Sequence, residues 1–338
     1  MGSLEQAVYA IIISFVIGVI LCPIVIPMLR KLKFGQNVRD DGPQTHLAKQ
    51  GTPTMGGVAF LAAFVITSLF FLKGNRDGAA IMLMTLCYGL IGFLDDYIKV
   101  VKKRSLGLRA YQKLLLQLIV TGLFCSYIMK SGIGTAIYIP FTDGKMIDLQ
   151  LIFIPFLFVA VLGTVNGVNL TDGLDGLAIL PSALVGIALG IFAYVVGRVD
   201  YAAYLNFPYV PGAGEVVVVG GALIGAGLGF LWYNAYPAQV FMGDVGALAL
   251  GGALGTMAII TRQELVLFIM GGVFVMETLS VILQVSYFKM THGKRIFLMT
   301  PIHHHFEMKG WKETQVVVRF WIITIVLVLI GLSTLKIR

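Results

Sequence analysis

The chain has 338 residues, of which 58% are hydrophobic and only 12% charged, with a formal net charge of +8. Its mean hydropathy is +0.89. A soluble globular domain carries about a quarter charged residues, so this class is excluded and an integral membrane protein is implied.

Apolar runs long enough to cross a hydrocarbon layer of roughly 30 Å need about 20 helical residues each. In chain order they fall near 4–29, 53–72, 79–94, 114–130, 149–167, 177–197, 216–233, 240–260, 265–288 and 315–335. The expectation is an all-α polytopic membrane protein of about ten transmembrane helices. The third run is short and needs its flanks. No basic residue precedes the first run and no small-residue cleavage site follows it, so it is expected to stay as a helix.

Basic residues alternate between loops. Arg30, Lys31, Lys33, Arg39 and Lys49, then Lys99, Lys102, Lys103, Arg104, Arg109 and Lys113, then Lys289, Lys294, Arg295, Lys309 and Lys312 share one side. The other side holds Lys73, Arg76, Lys130, Lys145, Arg198, Arg262, Lys336 and Arg338. The positive-inside rule makes the richer side cytoplasmic and puts both termini outside. On the outer side, AIYIPFTDGKMIDL at 136–149 has two β-prone runs around Asp143-Gly144, which predicts a small extracytoplasmic β-hairpin. Residues 198–215 read as a loop. No repeat or soluble insert divides the chain, so a single membrane domain over 1–338 is expected. Cys22, Cys87 and Cys125 lie inside apolar runs without paired spacing, as small buried residues.

The seventeen acids are scarce, and their placement points to a site. Asp40, Asp41, Asp95, Asp96, Asp172, Asp175, Asp244, Glu307 and Glu313 sit on the cytoplasmic side. Two loops there, 166–176 and 234–243 with its flank, hold no lysine or arginine, so Asp172, Asp175 and Asp244 need another cation. GFLDDYIK sets Asp95 and Asp96 at the inner end of the third helix, where two interfacial acids also read simply as a helix terminus. In NGVNLTDGLDGLA, Asn169, Asp172 and Asp175 recur every three residues, which on a helix aligns them along one face. One of them is explained by helix capping; three are not. NAYPAQVFMGDVGAL adds Asp244, flanked by Gly243 and Gly246, with Phe241 just before it. Together these acids suit Mg²⁺, a hard cation that takes one or two carboxylates and completes its shell with water and phosphate oxygens.

Partners for a phosphate lie on the same side. Lys49 precedes GTPTMGG and Lys113 opens the fourth helix, although isolated interfacial lysines more often snorkel. His292, Lys294, Arg295 and the run PIHHHFE follow near the C-terminus. Adjacent side chains point different ways, so three histidines in a row rarely serve one metal; neutral imidazoles can instead donate to phosphate oxygens.

LDDYIK, NLTDGLDGLA, FMGDVGAL and PIHHHFEMKGW, in this order across ten apolar runs, resemble the polyprenyl-phosphate N-acetylhexosamine-1-phosphate transferases. The resemblance runs from HLAKQGTPTMGG to RFW, and the uninterrupted triple histidine favours the branch handling phospho-MurNAc-pentapeptide. It implies a Mg²⁺-dependent active site in the cytoplasmic loops. There phospho-MurNAc-pentapeptide passes from UDP-MurNAc-pentapeptide to undecaprenyl phosphate, giving lipid I and UMP, at the bacterial inner membrane. By the same resemblance Asp95, Asp96, Asp244 and His303 are catalytic, with Asp244 holding the metal. Lys49, Asn169, Asp172, Asp175, Asn234 and Phe241 then line the nucleotide site, with Phe241 suited to stack on uracil. Gln284, His303, His304 and His305 line the substrate cleft, and Lys113 joins the substrate-binding set. Rival readings are a relative using another UDP-sugar, a proton-coupled transporter with Glu277 as its intramembrane acid, and an Asp-rich prenyltransferase. The lipid bilayer is an obligatory partner and no nucleic acid is expected. A homodimer is compatible with the small residues Gly220, Gly221, Gly225, Gly227 and Gly229.

Overall fold

The computed structural model describes every residue except 1, 33–48, 50, 73, 103–106, 143 and 337–338. Asp40 and Asp41, and the tip residue Asp143 of the expected hairpin, lie outside the described residues. In chain order the helices are α1 (Ser3–Lys31), α2 (Gly57–Phe71), α3 (Arg76–Val101), α4 (Ala110–Ser131), α5 (Phe153–Thr171) and α6 (Ile179–Val196). They continue with α7 (Val199–Tyr204), α8 (Val216–Asn234), α9 (Gly243–Ile260), α10 (Glu264–Met270), α11 (Gly272–Met290), α12 (Ile302–Met308) and α13 (Glu313–Ser333). Strands β1 (Ala136–Tyr138) and β2 (Met146–Asp148) form the only sheet among the described residues, antiparallel with Ala136 opposite Asp148.

Nine helical segments among the described residues are long and apolar enough to span a bilayer, and α2 is a tenth, shorter apolar helix. The third run is longer than its apolar stretch: α3 takes in Arg76 and Asp77 at one end and Asp95, Asp96 and Lys99 at the other. Asn75 starts it by accepting from the Gly78 N–H, an N-cap that places charged residues at the helix ends. The run expected as one helix over 265–288 is broken at Gly271 into α10 and α11. The expected loop at 198–215 contains a short helix, α7, and a 3₁₀ turn at Ala213–Glu215. On the hairpin, Tyr138 stacks on Phe207 at 4.5 Å between centroids, which fastens the hairpin to this segment.

Helices α8 and α9 form the centre of the bundle and are the most thoroughly buried of the spans. They are rich in glycine and alanine. In lipid, apolar surface gains nothing by leaving other apolar surface, so close approach of backbones supplies the packing energy. On α8, a Cβ at Gly221, Gly225 or Gly229 would run into the backbone of Ala7, Ile11 or Phe15, so this i, i+4 row is the groove that receives α1. The α3–α9 crossing is equally tight: a Cβ at Gly92 would collide with the Asp244 carbonyl, and Gly252 lies against the Tyr88 ring. Gly92 is one turn before Asp95 and Asp96, so this contact sets where their carboxylates meet Asp244. Between α4 and α5, Gln117 and Asn166 exchange amide hydrogen bonds at 3.3 and 3.0 Å, which sets Lys113, about one turn earlier on α4, beside Asn169, about one turn later on α5.

Candidate active site at the loop-rich end

The helix ends that carry the predicted acids converge at one end of the bundle, the cytoplasmic end by the positive-inside rule. Asp95, Asp96 and Asp244 each offer an oxygen, all within 4.8 Å of one another. Asp95 accepts the Leu108 N–H at 2.8 Å, and Asp96 accepts the Val245 N–H at 3.2 Å, at the start of α9. These backbone donors aim the carboxylates without neutralising them. Neutralisation comes from two lysines. Lys113 Nζ lies 2.7 Å from Asp244, while Lys99 Nζ reaches Asp95 at 2.7 Å, Asp96 at 3.2 Å and Asp244 at 3.0 Å. With its amide turned to match its neighbours, Asn169 donates to Asp244 at 3.0 Å and accepts from Lys113 at 3.2 Å.

A second group forms around Lys49. Its ammonium bonds Asp175 at 2.6 Å and Glu313 at 2.5 Å, and lies 5.9 Å from the centre of the half-buried Phe241 ring. Glu313 also accepts the Asp175 N–H, and Asp175 accepts the Ala238 N–H. The GTPTMGG stretch lies along VFMG: Phe241 donates to the Pro53 carbonyl, and Gly56 and Gly57 donate to the Phe241 and Met242 carbonyls. This ladder carries Lys49 to Phe241.

The expected single helix through Asn169, Asp172 and Asp175 is not what forms. Helix α5 ends at Thr171, Asp172 caps it, and the chain turns through Gly173 and Gly176, the latter at φ +74. Two glycines within four residues destabilise a helix and supply the left-handed turn. The consequence is that Asn169 faces the Asp244 group and Asp175 the Lys49 group, with Asp172 between them. Burial, together with the like charges of Asp244, Asp96 and Asp175, raises the Asp172 carboxyl well above the ordinary range.

The histidines separate by role, as neighbours on a short helix must. His303 is fully enclosed, with Nδ1 3.0 Å from the equally enclosed Glu277. Its Nε2 has no hydrogen-bond partner among the described residues and lies against Gly173, where a Cβ would not fit. As placed, His303 packs against Gly173 in the turn that follows Asp172. His304 Nδ1 pairs with Glu307 at 2.8 Å, and His305 Nδ1 accepts the Leu298 N–H at 3.1 Å. Burial and nearby Lys309 lower the His305 pKa. Gln284 accepts the Ile296 and Phe297 N–H groups, and Asn234 spends its amide on Gly176 and Val240. These two residues therefore shape loops in this structure.

Lys99, Glu313 and Glu277 are central here although the family resemblance assigns none of them to the site. For Lys99 the signal was the DDYIK spacing, which puts an ammonium within reach of both acids at i+3 and i+4.

A bundle of spanning helices that gathers carboxylates, lysines and an aromatic ring at one interface has the parts of a membrane-embedded transferase acting on phosphorylated substrates. The chain belongs to glycosyl transferase family 4, whose model matches residues 78–262, and residues 49–61 match phospho-N-acetylmuramoyl-pentapeptide-transferase signature 1, the mark of the MraY family. These matches support phospho-N-acetylmuramoyl-pentapeptide-transferase activity, a phospho-sugar transfer in peptidoglycan synthesis between a nucleotide-linked sugar and a polyprenyl phosphate lipid. The family model takes in Asp95, Asp96, Asp175 and Asp244 but ends before Glu313, and the signature takes in Lys49 and GTPTMGG.

Proposed function

We propose that the protein transfers phospho-MurNAc-pentapeptide from UDP-MurNAc-pentapeptide to undecaprenyl phosphate at the cytoplasmic face of the bacterial inner membrane, yielding lipid I and UMP. The observation that carries this reading is the meeting of Asp95, Asp96 and Asp244 within 4.8 Å, with Lys99 and Lys113 against them. A hard, all-oxygen donor set that already holds a cation in the form of an ammonium fits Mg²⁺. Asp244 would hold the metal, with Asp95 and Asp96 beside it. When bound, Mg²⁺ supplies charge neutralisation on the diphosphate and on departing UMP.

The chain's own groups do the rest. Two anionic reactants must approach, so Lys113 and Lys99 lower the repulsion between the lipid phosphate and the diphosphate. Phe241 offers a ring for uracil, and Lys49 stands next to it. An oxygen of the lipid phosphate forms a bond to the sugar-bearing phosphorus, while the bond from that phosphorus to the bridging oxygen breaks and UMP leaves with the electron pair. Asp95 or Asp96 orients the lipid phosphate or takes its last proton. An acceptor already largely ionised near neutral pH needs little base help, which favours single displacement over a phospho-aspartyl intermediate.

The test is turnover of UDP-MurNAc-pentapeptide with undecaprenyl phosphate by purified protein in detergent, with and without chelator, alongside exchange of labelled UMP into the donor. Metal-dependent lipid I formation is expected. Preference for another UDP-sugar would move the protein to a sister branch, and absence of any exchange would end the transferase reading. Inversion at the transferred phosphorus supports single displacement; a sugar-phosphate trapped on either aspartate overturns it.

A further inference from the structure

Lys99 occupies a position that its role in the proposed reaction does not explain. Its ammonium touches all three carboxylates of the candidate metal group at 2.7–3.2 Å, and no other cation among the described residues does so. Lys113 touches Asp244 alone among them. Three carboxylates this close repel one another, and one charge inside the triangle relieves every pair at once. A divalent ion held by Asp244 beside Asp95 and Asp96 would compete for that same point, and both cations do not fit there.

We infer that Lys99 is a tethered counter-ion for the metal-free site, displaced when a divalent cation enters and then available to the donor's diphosphate. This inference rests on the metal-dependent reading above. The route out is visible: the Lys99 side chain is 32% exposed, whereas the three carboxylates are only 4–16% exposed. Lys99 is therefore the most open member of the group, and its flexible four-carbon stem gives the ammonium room to swing away. Its anchor on α3, one turn past the acids, keeps it at the site after it leaves the seat. Metal entry and diphosphate binding become coupled: the ion that takes the seat releases the positive charge that helps hold the second substrate, and by linkage the diphosphate favours the released position. Without the metal the ammonium offsets the repulsion among the carboxylates, and the helix ends stay together.

The test uses the full-length protein in detergent micelles without substrate. Mn²⁺ binding is measured by electron paramagnetic resonance on wild type, Lys99→Gln and Lys113→Gln, each checked for folding by size exclusion and thermal melting. Removing the competing ammonium is expected to tighten Mn²⁺ binding by about tenfold or more in Lys99→Gln, with a smaller gain in Lys113→Gln. In parallel, acetylation of Lys99 by an amine-reactive ester, read by mass spectrometry on wild type, is expected to rise several-fold when Mg²⁺ replaces chelator. Should Lys99→Gln fold poorly, the labelling of wild type decides. Unchanged or weakened Mn²⁺ affinity in a folded Lys99→Gln protein, or Lys99 labelling indifferent to Mg²⁺, overturns the inference and leaves the transferase reading standing. A wild-type protein that binds no Mn²⁺ removes the metal reading, and this inference with it.

Discussion

Asp244 accepts from Lys113 at 2.7 Å and from Lys99 at 3.0 Å, so its carboxylate joins the two cationic arms of the site. Asp244→Ala is expected to lower metal-dependent turnover by about a thousandfold or more, since a metal's charge stabilisation is worth several kcal/mol. The protein should still extract and elute as the folded species; retention of most activity would remove Asp244 from the metal site. Asp172 gives a pH prediction. Its folded-state pKa is raised, so protonation favours the folded form, and this contribution is present at acid pH and lost as pH climbs from the ordinary carboxylate range through the folded value. Asp172→Asn should therefore flatten the decline in melting temperature of the substrate-free protein toward neutral pH, while activity falls. A melting profile as steep as that of wild type would argue against a raised Asp172. The histidines should respond unequally. Alanine at His303 leaves the buried Glu277 without its hydrogen-bond partner, which costs about 1–3 kcal/mol. His304 and His305, with partners nearer the surface, should lose activity with far less loss of stability. Equal destabilisation by all three alanines would mean that α12 collapses as a unit.

At the scale of elements, the decisive contact is the α3–α9 crossing. Gly92→Ala places a methyl where the Asp244 carbonyl stands, and overpacking of this kind typically costs about 1–3 kcal/mol. It should also separate Asp95 and Asp96 from Asp244, so turnover should fall more than the melting temperature alone accounts for. Gly190→Ala, with nothing within 4 Å, serves as the comparison and should be close to neutral. Much of this level could be read in the sequence. The spans appear as apolar runs because lipid demands length and apolarity, and the acids stood out because basic loops surround them. What could not be read were features set by partners distant in sequence. The break at Gly271 lies in a run whose hydropathy continues unbroken. The three-residue spacing of Asn169, Asp172 and Asp175 suggests a helix, but Gly173 and Gly176 turn the chain and send Asn169 and Asp175 to two different groups. Lys99 passed as an ordinary basic residue at a helix end, because its third partner, Asp244, comes 145 residues later. Nor could one read the backbone contacts that Gln284 Oε1 makes with Ile296 and Phe297, or the Asn234 amide with Gly176 and Val240.

For the whole molecule, the two-sided charge distribution predicts a topology. The native cysteines lie inside helices, with Cys22 and Cys125 buried. Single cysteines at Lys145, on the hairpin, and Lys309, after α12, can therefore be told apart with an impermeant maleimide on intact spheroplasts. The first should react and the second should not until the membrane is opened; the reverse pattern would invert the molecule. All the gathered groups belong to one end of the bundle. This suits a reaction whose lipid substrate arrives sideways from the leaflet and whose nucleotide arrives from the aqueous phase.

The Lys49–Glu313 bridge spans 264 positions of the chain, from just ahead of α2 to the first turn of α13. A polypeptide emerging from the ribosome has placed most of its acids in the membrane before the carboxylate that completes this bridge has been made. The last helix thus acts as a clasp, and a product released early would lie in the bilayer with its Lys49 group unfinished.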